Sequence, residues 1–170
     1  PTPLLALPNL ARRLGVGSLW YKDEGSRLGL GSFKALGGAY GVFQVLKRRL
    51  EADGAVAVTS ADLLGGRFTD AVRRVTVTCA SLGNHGRSVA WGAARFGCRA
   101  VIFLPEHTAP DRVAAIEKLG ALIAPVRGSY DDAVALAAKR ADEEGWFVVS
   151  DTAYPGYEEI PRFIMQGYTV

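Results

Sequence analysis

Two short segments of this chain combine residue types that could do chemistry. The first is Gly29-Leu30-Gly31-Ser32-Phe33-Lys34-Ala35-Leu36-Gly37-Gly38-Ala39, a lysine beside a bulky aromatic with glycines on both sides. It opens a helical pattern, and an ammonium there faces the positive end of the helix dipole. That placement suits an amine meant to attack a carbonyl. The second is Ala80-Ser81-Leu82-Gly83-Asn84-His85-Gly86-Arg87, which follows a β-rich run and opens another helical pattern. A small-residue turn in that position aims backbone N–H groups at an anion. Each segment also has a plainer reading. Lys34 could be a surface residue of an amphipathic helix, Asn84 an N-cap, and His85 a satisfied residue of the first turn.

The elements that must hold these segments alternate β-rich runs with longer helical stretches. Strands are predicted over 18–22, 74–79, 100–104, 122–126 and 146–150. Helices are predicted over 33–50 with Ser32 as N-cap, 84–96 ending at Gly97, 110–119 closed by Gly120, and 130–144 ending at Gly145. Residues 53–71 are poorly periodic and read as a loop or a weak edge element. The last stretch, 160–170, reads as an amphipathic helix still under way, as in a fragment of a longer protein. The later strands are near-continuous apolar runs with a helix between each pair, the βαβ signature of a sheet covered on both faces. The expected fold is α/β: an open, mostly parallel sheet with helices on both faces. Such sheets place ligands at the carboxyl ends of their strands, where both segments fall.

Composition narrows the function. In 170 residues the formal net charge is only +3, and the basic residues lie in scattered groups such as Lys47-Arg48-Arg49 and Arg73-Arg74. Nucleic-acid binding would need a concentrated basic stripe, so none is expected. No apolar run reaches membrane-spanning length, no leader segment is visible, and two cysteines make no disulfide framework. A cytoplasmic protein without membrane contact is expected. Cys79, His85, Cys98 and His107 match no zinc spacing, so no metal is expected. Gly83-Asn84-His85-Gly86 is not the Gly-x-Gly-x-x-Gly of a dinucleotide site.

Taken together, the two segments are more specific than either alone. A Ser-Phe-Lys helix start followed by a Ser-x-Gly-Asn-His-Gly loop resembles the fold type II pyridoxal-phosphate (PLP) enzymes, the group of threonine dehydratase and tryptophan synthase β. Within it the chain is most similar to diaminopropionate ammonia-lyase. The similarity is carried by Trp20-Tyr21-Lys22-Asp23-Glu24-Gly25, by Phe33-Lys34-Ala35-Leu36-Gly37-Gly38-Ala39-Tyr40, and by Gly83-Asn84-His85-Gly86-Arg87. Asp151-Thr152-Ala153-Tyr154 and Met165-Gln166-Gly167-Tyr168 extend it over nearly the whole chain.

That resemblance implies pyridoxal phosphate as cofactor, held by Lys34 as a Schiff base, with Phe33 against its ring and Asn84 on its ring hydroxyl. It implies that Ser81, Gly83, Asn84 and His85 grip the carboxylate of a small amino-acid substrate. Asp151 matches a general base, so Lys34 and Asp151 are the implied catalytic pair. The implied reaction is α,β-elimination, turning 2,3-diaminopropionate into pyruvate and ammonia. Residues 1–35 would begin a large cofactor domain, 36–150 form a small α/β domain, and 151–170 return to the large one. A homodimer is implied as well. One position departs from the pattern: the ammonia-lyases carry an aspartate before Gly83, tied to D-substrates, and here it is Leu82. This moves the expectation toward L-substrates, with an L-serine or L-threonine dehydratase as the alternative. A fragment or pseudoenzyme without activity is a further one.

Overall fold

A computed structural model describes residues 2–169. The chain divides into two units, Pro1–Phe33 and Lys34–Val170. In the first unit, β1 (Leu4–Ala6) pairs antiparallel with β2 (Trp20–Lys22). Between them in sequence lies α1 (Pro8–Leu14), and a short 3-10 turn, Arg27–Gly29, follows β2. Proline suits the first helical turn of α1, where its missing N–H has no acceptor anyway. The strand expected over 18–22 is shorter, and β1 and α1 had no counterpart in the sequence pattern.

The second unit is built on four parallel strands: β3 (Thr76–Ala80), β4 (Arg99–Pro105), β5 (Leu122–Val126) and β6 (Phe147–Val148). Their spatial order is β5-β4-β3-β6. The crossovers are α5 (Asn84–Phe96), α6 (Pro110–Glu117) and α7 (Tyr130–Glu144). Two apolar clusters lie against the sheet. One joins Val77, Cys79, Ile102 and Leu104 to Val89 and Ala93 of α5 and Ile116 of α6, and the other joins Ala80 and Phe103 to Ala133 and Ala137 of α7. Alternate residues of β4 thus point to opposite clusters, as the period-two strand geometry requires. This is the α/β fold the sequence pattern calls for.

Outside α5 the first cluster is closed by α2 (Ala35–Ala52) and α8 (Glu159–Gly167). The predicted loop at 53–71 instead contains α3 (Ser60–Leu64) and α4 (Thr69–Val72), with Val58, Leu63 and Val72 buried. Two helices this short give too few turns for a periodic pattern to register. The capping box between Thr59 and Asp62, which starts α3, is the local signal that marks it.

The packing of α2 against α5 depends on small residues. A Cβ at Gly92 would lie 2.7 Å from the Ala39 Cα, so the two backbones meet with no room for a side chain. Gly92→Val is expected to destabilise the protein by about 1–3 kcal/mol through overpacking. Denaturant titration checks this, as a lower midpoint at unchanged slope.

Candidate active site

The strand order itself makes a crevice. From β3 the chain runs through α5 to β4, whereas β6, on the other side of β3, is reached only after α7. Connections that diverge from adjacent parallel strands leave a gap at their carboxyl ends. A cavity of about 330 Å³ lies there, lined by Lys34, Ala80, Ser81, Leu82, Gly83, Asn84, His85, Arg112, Tyr130 and Asp151.

Lys34 occupies the N-cap position of α2, not the first turn of a helix begun at Phe33. Its backbone is tied to α5: Ser88 Oγ, buried, stands 2.6 Å from the Lys34 carbonyl and 2.7 Å from that of Ala35, its one hydrogen shared between them. From this anchor Lys34 Nζ reaches Asp151 Oδ2 at 2.6 Å, an ion pair across 117 residues of sequence. Asp151 lies just beyond β6, in a turn held by Tyr157. The Tyr157 hydroxyl accepts from the Ser150 N–H at 2.8 Å and donates to the Val148 carbonyl at 3.0 Å.

The loop after β3 is shaped by its own hydrogen bonds. Ser81 Oγ accepts from the Gly83 N–H at 3.0 Å and the Gly86 N–H at 2.8 Å. Gly83, not Asn84, is the N-cap of α5, at φ +145° and ψ −84°. Only glycine adopts this backbone without strain. It turns the chain so that the N–H groups of Asn84 and His85, which have no intrahelical acceptor, start the helix at the cavity wall. Arg112 of α6 donates to the Leu82 carbonyl at 2.9 Å and brings a cation to the same wall.

His85 faces inward. Its ring is 5% exposed. Nε2 lies 2.7 Å from the Val149 carbonyl, so that nitrogen carries the hydrogen and donates it. Nδ1 then presents a lone pair, 3.6 Å from Asp151 Oδ2 and without a hydrogen-bond partner. Burial disfavours the charged imidazolium and lowers the His85 pKa, outweighing the pull of the Asp151 charge. For Asp151, burial acts upward, but the hydrogen bond and charge of the Lys34 ammonium hold its carboxyl below the usual carboxylate range.

These shifts set a pH dependence of stability. Unfolded, His85 takes up a proton near pH 6.5, while in the fold it does so only at lower pH. Its contribution is therefore complete above about pH 6.5 and is lost as pH falls below it, by about 1.4 kcal/mol per pH unit until the folded group titrates. Asp151 adds a second loss below about pH 3.8. Urea titrations between pH 7.5 and 5 should show the first decline in the wild type and not in His85→Gln.

Lys34, Ser81, Gly83, Asn84, His85 and Asp151, all singled out from sequence, line this one cavity. Ser81 spends its lone pairs on the loop, and the His85 ring turns toward Val149 and Asp151. Phe33 ends the first unit and is 54% exposed. Arg112, Tyr130 and Ser88 were missed. A signal for the first existed, since Arg112 lies in the opening turn of the helix that follows β4. Among the described residues no group of His, Cys, Asp and Glu side chains could hold a metal, and no helix is long and apolar enough to cross a membrane. Cys79 is fully buried in β3, and burial pushes the Cys98 thiol up to about 12.

Known proteins resemble this chain in sequence and fold. The chain is 44% identical over 168 residues to the diaminopropionate ammonia-lyase of Escherichia coli K12, an alignment covering 99% of this chain and 41% of that protein. It is 37% identical over 145 residues to a biosynthetic threonine dehydratase of Solanum lycopersicum, covering 85% of this chain and 20% of that one. The crystal structure of the Escherichia coli diaminopropionate ammonia-lyase in apo form matches with a TM-score of 0.86 at 42% identity, over 99% of this chain and 45% of the other. The chain thus spans less than half the length of these relatives. Residues 1–169 match the family described as pyridoxal-phosphate dependent enzyme. By that match and by its fold, this chain belongs to the pyridoxal-phosphate dependent enzyme family.

Proposed function

We propose that the protein is an ammonia-lyase that cleaves L-2,3-diaminopropionate to pyruvate and two ammonia by α,β-elimination with uptake of water. The observation that carries this reading is the Lys34–Asp151 ion pair in the cavity at the carboxyl ends of β3 and β6. An amine able to bond the cofactor's aldehyde lies beside a carboxylate able to take a proton.

The residues present fit pyridoxal phosphate. Among the described residues Lys34 is the only lysine lining the cavity, and the helix start at Asn84 offers donors to an oxyanion or ring hydroxyl. His85 Nδ1 is a buried acceptor that still lacks a donor. Lys34 would hold the cofactor through its amine, with Asn84 beside it. Bound there, pyridoxal phosphate supplies an electron sink for the charge left at the substrate Cα.

The chain's own residues do the rest. The N–H groups at the start of α5 receive the substrate carboxylate, and Arg112 adds a cation at the same wall. Asp151, held ionised by its neighbours, or Lys34 takes the α-proton. The amine on Cβ then departs, and hydrolysis of the second C–N bond gives the keto acid. A homodimer in the cytoplasm belongs to this reading, and sedimentation of the full chain checks the assembly.

Leu82 bears on the enantiomer. Its side chain is half exposed at the cavity and cannot move a proton. Turnover of L-2,3-diaminopropionate is expected to exceed that of the D-form by about 100-fold or more, the usual worth of a placed proton-transfer group. Leu82→Asp should narrow the gap by raising the D-rate. Equal turnover of both enantiomers by the wild type would remove the role given to Leu82. The uncharged Leu82 also favours a second reading, a dehydratase of L-serine or L-threonine. The same assay separates the two readings by running all three L-substrates side by side.

A further inference from the structure

The Lys34 amine must be neutral to attack an aldehyde, yet it is paired with a carboxylate at 2.6 Å. Its proton needs somewhere to go. Among the described residues, the thiol of Cys79 and the phenols of Tyr130, Tyr157 and Tyr168 also feel the Asp151 charge. Burial first, and that charge second or later, push all four upward, so they stay protonated and cannot accept. His85 differs from them. Its Nε2–H is committed to the Val149 carbonyl, and its Nδ1 lone pair faces Asp151 Oδ2 across 3.6 Å with no hydrogen between them. A buried, unpartnered acceptor that faces a partly exposed carboxylate oxygen is a costly contact, relieved by one proton.

We propose that His85 holds the proton that Lys34 must lose before its amine attacks the cofactor aldehyde, receiving it through Asp151. This inference rests on the reading of Lys34 as the cofactor lysine. One N–H bond of the Lys34 ammonium breaks and its proton passes to Asp151 Oδ2. A proton passes from Oδ2 to His85 Nδ1, which restores the carboxylate. Lys34 ends as an amine with a free electron pair. His85 ends as an imidazolium, donating through Nε2 to Val149 and through Nδ1 toward Asp151. The trio carries no net charge before or after, so the transfer moves no charge out of the cavity. His85 thereby acts through its neighbours and is a positioning residue.

Two measurements on the full chain test this. In the cofactor-free protein, 15N NMR of the His85 ring at pH 7.5 should show a neutral imidazole with its hydrogen on Nε2. A hydrogen on Nδ1 in that state overturns the proposal. Stopped borohydride trapping then gives the rate at which pyridoxal phosphate becomes fixed to Lys34. His85→Gln keeps an amide donor for Val149 but has no titratable lone pair. Its attachment rate near pH 7 should be roughly 10- to 100-fold lower. The deficit should shrink above about pH 9, where hydroxide can remove the proton instead. A His85→Gln rate within twofold of wild type across that range overturns the inference and leaves the function standing. If the wild type fixes no cofactor on Lys34, the proposed function falls and the inference with it. Should His85→Gln fail to fold, the tautomer in the wild type decides.

Discussion

Replacing Lys34 by alanine is expected to leave a folded protein that fixes no pyridoxal phosphate under borohydride and turns over substrate at least about 1,000-fold more slowly. The magnitude follows from other covalent catalysts, in which removal of the nucleophile costs several powers of ten. The reason is local, since among the described residues no other lysine lines the cavity to take its place. The same change removes the cation beside Asp151. With the Lys34 and Asp151 side chains 32% and 20% exposed, solvent offsets much of that loss, so stability should fall by about 1 kcal/mol. Peptide mapping after reduction is the decisive measurement. A label on any other lysine, or trapping that survives in Lys34→Ala, would remove Lys34 from its role.

Asp151→Asn is expected to separate cofactor capture from turnover. The amide keeps the volume of the carboxylate and a hydrogen-bonding oxygen, but it cannot accept the α-proton. Turnover should drop by about 100- to 10,000-fold, the range for a general acid–base group. Cofactor attachment should be slower yet reach completion, because the Lys34 amine is still present. Its fold should survive, since the Tyr157 clamp on Ser150 and Val148 does not involve the Asp151 side chain. Absorbance after overnight incubation with cofactor reads the first property, and steady-state assays read the second. Turnover within threefold of wild type would show that Lys34 alone moves the proton.

Much of the scaffold was legible in the residues because it obeys local rules. The bounds of α5 and α7 agree with their capping signals, left-handed Gly97 and Gly145 at the ends and Ser129 at the start of α7. The apolar runs that became β3 and β4 read as buried strands because both faces of a parallel sheet are covered. Where local rules were silent or competed, the reading slipped. The start of α2 moved to Ala35, with Lys34 as its N-cap and no side-chain cap hydrogen bond to mark it. Likewise α3 and α4 emerged from an aperiodic stretch because Val58, Leu63 and Val72 are recruited one by one into the core.

By itself the sequence determined the fold class and the residues available for chemistry, including Lys34, the Ser81–Asn84 turn and Asp151. Lys34 and the turn stand out by residue type and spacing along the chain, and Asp151 by the family resemblance that those segments carry. Only the tertiary structure decided that Lys34 and Asp151 touch, that His85 turns its bare nitrogen toward them, and that Arg112 and Tyr130 join the wall. The physical reason is that a strand order with a switch between β3 and β6 sets loops far apart in sequence at one crevice. Hydrogen bonds such as His85 to Val149 then fix each side chain's direction, and no local pattern encodes a partner 64 residues away.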